Sequence, residues 1–261
     1  MKHRFSVIFV SLIFAAFLSA VAMADLTDGL VAYWPLDETS GDVAHDIVGG
    51  NDGELQGGPV WSGGALTFDG TDDLVRVTEF DVVGGTGLTI ACWVITSNLD
   101  TPGNDPRMVS KAIGGNNEDH WYMLSSTRVD DDKRFRFRLK TDGTTDELKA
   151  DAAGLIDLDV WIHVAVVWDG ATMMIYKNGA VVGSLAKGGT LDVDPTVEMA
   201  IGSQPATTDA RPWDGSMDDV AIWSRGLSAD EIAELMSNGI PIATAVEPGG
   251  KITTTWGKIK N

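Results

Sequence analysis

The acidic side chains are the first candidates for chemistry. The chain of 261 residues carries 38 Asp and Glu against 19 Lys and Arg, a formal net charge of −19. Calcium takes six to eight oxygen ligands, mostly carboxylates and backbone carbonyls supplied by loops. One source pairs the run "TSGDVAHDIVGGNDGEL", with Asp46, Asn51 and Asp52, with the Asp218-Asp219 pair near the other end of the chain. A cation held there would neutralise adjacent carboxylates and tie the chain ends together, which makes Asp46, Asn51, Asp218 and Asp219 a candidate structural calcium site. The competing reading is that Asp218 and Asp219, as strand neighbours, point to opposite faces and only cap local amides. A second source is the "FDGTDD" turn, with Asp69, Asp72 and Asp73, where a turn that caps itself is the simpler account.

Catalytic patterns are poorly represented. Glycoside hydrolysis needs two carboxylates flanking one bond, and no Glu-x-Asp-x-x-Glu run is present to supply them from one strand face. His163 lies inside an apolar run and reads as a hydrogen-bonded core residue. His45 and His120 stand in loops without a recognisable Ser or Cys nucleophile motif. No His-x-x-x-His zinc spacing occurs. In "KRFRFRLK" (Lys133 to Lys140) Arg134, Arg136, Arg138 and Lys140 alternate with Phe135, Phe137 and Leu139. The basic row could contact an anion, and a solvated or salt-bridged strand face is the better account.

The elements that must position these groups are strands. "WIHVAVVWDGATMMIYKNGAVVGS" (Trp161 to Ser184) holds an eight-residue apolar run, the breaker Asp169-Gly170, a return strand, the breaker Asn178-Gly179 and a third strand. Asp-Gly and Asn-Gly supply the positive φ of tight hairpin turns, so the stretch is an antiparallel meander. "LTIACWVI" reads as a central strand buried on both faces, with Cys92, the only cysteine, as a small core hydrophobe. With one cysteine no intrachain disulfide is possible. "LSADEIAELMSNG" is the one helix signal: Ser228 and Glu231 form a capping box, Ile232, Leu235 and Met236 share a face, and Gly239 stops it. Thirty Gly and about a dozen short strands point to an all-β, two-sheet antiparallel sandwich with one short C-terminal helix.

The termini read differently. Lys2, His3 and Arg4, the apolar run Val7 to Leu18 and the small-residue site Ala22-Met23-Ala24 form a secretory signal peptide over residues 1–24. Cleavage near Ala24 implies a secreted, periplasmic or cell-surface product. The sandwich is expected over 25–242 and a flexible polar tail over 243–261. Without the signal segment 17 basic residues face 38 acidic ones. That balance argues against nucleic acid and anionic membranes as partners, because both need clustered Lys and Arg. No segment after the signal is long and apolar enough for membrane insertion.

The pieces "LVAYWPLDETSGDVAHD", "GGALTFDGTDDLVRV", "LTIACWV", "MVSK", "WIHVAVVWDG…MIYKNG", "AIGSQ" and "WDGSMDDVAIWSRGLSADEIAEL", in that order, resemble the laminin-G-like, concanavalin A-like domains, including their pentraxin branch. The resemblance implies a jelly roll with one convex and one concave sheet, binding sugars, glycosylated proteins or other extracellular matter, often with calcium. It also implies a second calcium position: Asn116, Asn117, Glu118 and Asp119 after "MVSK", with Gln204 and Asp209 after "AIGSQ". The second of these loops is short and lacks that branch's run of acidic and amide ligands. Of nine tryptophans, Trp34, Trp93, Trp161, Trp168 and Trp223 fall in strand patterns and are expected in the core. Trp121 and Trp213 flank the two loops and are the expected ligand contacts, since an aromatic face packs on the apolar face of a pyranose. The expected function is a secreted, non-catalytic binding module for carbohydrate or glycosylated extracellular surfaces, supported by calcium. A structural or adhesion domain that binds protein is the alternative, and a hydrolase of the same fold is third.

Overall fold

A computed structural model describes residues 25–103, 105–205 and 210–242. The expected signal segment, the expected tail beyond 242 and Asp209 lie outside the described residues. Sixteen strands are formed: β1 (Leu30–Trp34), β2 (Val43–Ala44), β3 (Gly53–Gln56), β4 (Val60–Trp61), β5 (Leu66–Asp69), β6 (Leu74–Val77), β7 (Leu88–Asn98), β8 (Arg107–Ala112), β9 (His120–Val129), β10 (Asp132–Thr141), β11 (Thr144–Lys149), β12 (Ile162–Trp168), β13 (Thr172–Lys177), β14 (Ala180–Ala186), β15 (Met199–Ile201) and β16 (Asp214–Trp223). One helix, α1 (Ala229–Asn238), follows.

The strands form two eight-stranded antiparallel sheets. The first has the order β14-β13-β12-β7-β16-β5-β4, with β1 also paired to β16. The second has the order β11-β10-β9-β8-β15-β6-β3-β2. The meander is β12-β13-β14, and the Asn178-Gly179 turn has φ of 49° and 80°, both positive as a type I′ hairpin requires. β7 and β12 are buried on both faces because β7 lies mid-sheet between β12 and β16, and Cys92 is in the core.

Between the sheets lies one apolar core that includes Trp34, Phe68, Phe135, Phe137, Leu139, Val166 and Ile222. A second, smaller cluster covers the outer face of the first sheet. There Ala91, Ala165, Val167, Ala221 and Trp223 are sealed by Ile232 and Leu235 of α1 and by Leu26. The helix starts as its sequence dictates: the Ser228 side chain accepts from the Glu231 amide and Glu231 reaches back to the Ser228 amide. Gly239 ends it with φ of 70°.

β16 changes neighbour halfway. Residues 214–217 pair with β5, while residues 220–223 pair with β1, and the register against β7 slips between Asp218 and Ala221. Asp218 and Asp219 occupy this bulge, Asp219 with φ of 52°. The run 39–55, expected to supply loop ligands, contains the short strand β2 and most of β3. "TTDELK" forms β11, an edge strand whose polar composition hides it from an apolar-periodicity reading.

Candidate functional site

The chain-end acidic cluster is a loop-folding device. Asp46 is buried, and its Oδ1 accepts hydrogen bonds from the amides of Tyr33 (2.9 Å), Val48 (3.0 Å) and Gly49 (3.0 Å). Its Oδ2 accepts from the Asn51 amide (3.0 Å) and the Asn51 side-chain nitrogen (2.7 Å). Asp52 Oδ1 accepts from the Asp46 amide at 2.9 Å. A cation at Asp46 and Asn51 would have to displace donors already at hydrogen-bond distance. Asp219 is held elsewhere, its Oδ1 accepting from the Tyr33 hydroxyl at 2.5 Å. Asp218 is fully buried and accepts from the Asp219 amide at 3.1 Å. Tyr33 therefore joins the two ends through its backbone on one side and its phenol on the other, and these carboxylates form no metal-sized group. Burial and the Asp219 carboxylate push the phenol far above its ordinary range.

The loop after β8 also closes on itself. Residues Asn117–Asp119 make a single 3₁₀ turn in which Asp119 Oδ2 accepts from the amide and side chain of Asn116, both at 3.0 Å. Glu118 Oε2 accepts from the Thr145 amide (2.8 Å), and Asn117 Nδ2 donates to the Thr145 carbonyl (2.7 Å). Gln204 is brought to this loop, as the resemblance implies, but by donating to the Gly114 carbonyl at 3.1 Å. Asp209 lies outside the described residues.

Both expected ligand tryptophans are corrected. Trp213 is fully buried in the main core, and its indole N–H donates to the Ile95 carbonyl at 3.3 Å. Trp121 packs against the same core at 9 % exposure, with the Lys140 ammonium 4.4 Å from its ring centroid. Neither offers a ring face for a sugar. Their neighbouring residues suggested loop positions, but the core of a sandwich extends under its loops.

Among the described residues the one cluster of acids that could hold a metal is the β5–β6 turn. One carboxylate oxygen from each of Asp69, Asp72 and Asp73 lies within 4.8 Å of the others. The turn does cap itself, since Asp73 accepts from the Asp69 amide and Asp69 from the Thr71 amide, both at 2.8 Å. Capping leaves the charges crowded: burial, together with Asp69 and Asp72, holds the Asp73 carboxyl above its ordinary range despite that amide.

The outer face of the second sheet carries the densest polar network. Cross-strand partners share a face. One row across it is Arg107–Ser125–Arg136–Lys149, and the next is Ser110–Met123–Arg138–Glu147. Arg138 donates to Glu147 Oε2 from Nε (2.8 Å) and Nη2 (2.7 Å). Arg136, only 4 % exposed, donates to Ser125 Oγ and forms ion pairs with Asp105 (3.3 Å) and Glu147 (3.4 Å). Arg211 reaches Asp105 at 3.6 Å. Burial pushes Glu147 up, and its bonds to Lys149 and Arg138 outweigh this, leaving it below the ordinary carboxylate range.

His120 sits among these cations as a neutral ring. Its Nδ1 lies 2.8 Å from the Asn116 carbonyl, so Nδ1 carries the proton, and Nε2 accepts from Arg107 Nη2 at 3.0 Å. Burial first, then Arg107 and Arg138, bring its pKa down to about 4. The salt-bridged reading of the Arg134–Lys140 row therefore describes β10 well. It misses Arg107, Asp105, His120, Glu147 and Arg211, whose meeting depends on strand order and on loops that come from far apart in the chain.

The fold is similar to several solved structures, each below 25 % identity. The binding domain of Paraclostridial Mosquitocidal Protein 1 matches at TM-score 0.61 and 15 % identity, over 80 % of this chain and 52 % of that one. Trypanosoma rangeli sialidase in complex with sialic acid matches at 0.56 and 18 %, over 81 % and 33 %. Domain 4 of AbnA, an extracellular arabinanase of Geobacillus stearothermophilus, in complex with arabinotriose, matches at 0.52 and 16 %, over 79 % and 97 %. The chain thus spans a third of the sialidase, about half of the toxin domain and nearly all of the arabinanase domain. No curated protein sequence matches it. The model of the Laminin_G_3 family, described as the concanavalin A-like lectin/glucanases superfamily, matches residues 69–233, and the chain belongs to that family.

Proposed function

We propose that the protein is a secreted, non-catalytic module that binds carbohydrate or glycosylated extracellular surfaces on the outer face of its second sheet. The observation that carries this reading is the double row of hydrogen-bonding groups there. Guanidinium and carboxylate groups fix one another at 2.7–3.4 Å on a rigid sheet, so their remaining donors and acceptors are oriented before a ligand arrives. Pre-oriented groups lose little side-chain freedom on binding, and planar guanidinium forks suit vicinal hydroxyls and carboxylates. On the other sheet's outer face α1 covers Ala91, Ala165, Val167, Ala221 and Trp223. The likeness to an arabinanase domain solved with arabinotriose supports the same class of partner. Nothing in the cluster resembles a catalytic pair: His120 is neutral and both its nitrogens are engaged.

Calcium enters this reading at the Asp69–Asp73 turn, whose all-oxygen donor set and mutual repulsion suit a hard divalent cation. Its role there is to support the fold beside β16, where Asp214 pairs with Asp69. A glycan array, followed by calorimetry with calcium and with EDTA, tests the function. Binding of at least one glycan class is expected. A protein partner captured while every glycan fails would replace this reading with adhesion to protein.

A further inference from the structure

We propose that the groove beside the Arg76–Glu198 ion pair, towards one end of the second sheet's outer face, is the subsite that holds a neutral terminal sugar of the bound glycan. This rests on the carbohydrate-binding reading and adds to it a place and a ligand class. Strand pairing extends the Arg138–Glu147 row across the sheet, as Glu54–Arg76–Ala200–Ser110–Met123–Arg138–Glu147. Ala200, Ser110 and Met123, in the middle of the row, are fully buried. A ligand meets the row towards its ends, and at the far end the Arg138 side chain is 16 % exposed. The Arg76 and Glu198 side chains are each 32 % exposed, and they line an open groove of about 290 Å³.

The groove has the mixed lining that a sugar ring requires. Ile113, which is 58 % exposed, together with Ala112, Val197 and Pro205, supplies apolar surface for the C–H face of a ring. Arg76 and Glu198 supply a donor and an acceptor side by side, which match neighbouring hydroxyls, since each hydroxyl both donates and accepts. Among the described residues their mutual hydrogen bond uses Arg76 Nη2 and Glu198 Oε2, so Nη1 and Oε1 are left for a ligand. Small-molecule sites are mostly apolar with a few fixed polar groups and span roughly 300–1,000 Å³. The groove stands at the lower bound of that range, which suits one terminal unit and not a long chain segment. Its charge disfavours acidic sugars. Glu54, exposed and the cross-strand neighbour of Arg76, sets a second carboxylate against the one guanidinium. An anionic unit would meet net negative charge there, and the acidic chain as a whole reinforces the repulsion.

The test is calorimetry of the full chain with arabinotriose, galactotriose and trigalacturonate, repeated on Glu198→Ala and Ile113→Asp, whose melting temperatures report the fold. Both side chains reach solvent, so both variants should fold. At least one neutral triose should bind, about tenfold tighter than trigalacturonate, because like charges brought together oppose binding. Glu198→Ala removes the acceptor and Ile113→Asp the apolar contact, and each should weaken the neutral triose about tenfold. Glu198→Ala also frees Arg76, so affinity for trigalacturonate should rise several-fold, a gain that a damaged fold cannot produce. A neutral triose bound equally well by both variants overturns the groove and leaves carbohydrate binding standing. Trigalacturonate bound as tightly as the neutral trioses overturns the ligand class. If none of the three binds, the proposal falls, and if the glycan array is blank as well, the carbohydrate-binding reading falls with it.

Discussion

The two sheets expose opposite kinds of outer face. On the first, Ala91, Ala165, Val167, Ala221 and Trp223 are apolar and lie under α1. On the second, the corresponding outward positions of β8–β11 are Arg, Ser, His and Glu, joined by ion pairs. Both faces are built from the same alternation of strand side chains, so the strands alone do not distinguish them. What distinguishes them is what the chain places on top. A capped amphipathic helix turns one face into a second core, while the other buries Arg107, Ser110, His120 and Ser125 in a network of ion pairs and hydrogen bonds. A face sealed by a helix contributes stability, and a face organised by ion pairs, with Arg138 and Glu147 reaching solvent, can contribute recognition.

The strongest way to break this contrast is to empty the sealed face. Trp223→Ala removes a fully buried ring and its indole bond to the Leu26 carbonyl at 2.8 Å, and should cost about 4 kcal/mol by urea unfolding. Glycan affinity of the fraction that stays folded should not change. If it did, the two faces would not be separable.

Asp46→Ala probes the chain ends that support the sealed side. Four backbone amides would lose a charged acceptor in a partly buried loop, and a loss of about 3 kcal/mol is expected from denaturant midpoints. Added calcium should not rescue it. Rescue would restore a metal to that cluster.

On the open face, His120 gives a pH signature. Its folded pKa of about 4 lies below the ordinary value of 6.5, so between these limits the unfolded chain binds more protons than the native one. Stability is therefore full above pH 6.5 and falls as the pH drops towards 4, by about 3 kcal/mol. His120→Gln should flatten this part of the stability–pH curve, and an unchanged slope would remove His120 from the network.

Calcium should produce the smallest shift, at the edge between the faces. Saturating calcium is expected to raise the melting temperature by a few degrees through mass action, roughly the effect of 1–2 kcal/mol in a domain of this size. Asp73→Asn should abolish the response, and a melting temperature independent of calcium and EDTA would take the metal out of the Asp69–Asp73 turn.

Much of the scaffold was legible in the residues themselves. The meander at Ile162–Ala186, its Asn178-Gly179 turn, the Ser228–Glu231 capping box and the alternating β10 are local patterns, and local sterics and hydrogen bonding decide them. Asp46 and Asp219 both bond to Tyr33, where β1 pairs with β16. Their role was not legible, because a carboxylate surrounded by amides and one surrounded by other carboxylates look alike as sequence.

The sequence by itself determined the class of fold, its strand-by-strand order of apolar and polar faces, and the position of its one helix. These follow from side-chain period and turn chemistry within ten or so residues. Only the tertiary structure decided which polar groups meet. Arg107, His120, Arg138, Glu147 and Arg211 come from β8, β9, β10, β11 and the segment before β16, and strand pairing sets them side by side. It also decided that Trp121 and Trp213 are buried, since exposure depends on what distant chain covers a residue. Burial and charge proximity are properties of the packed whole, and they moved the candidate site from the acidic loops to an arginine-rich sheet face.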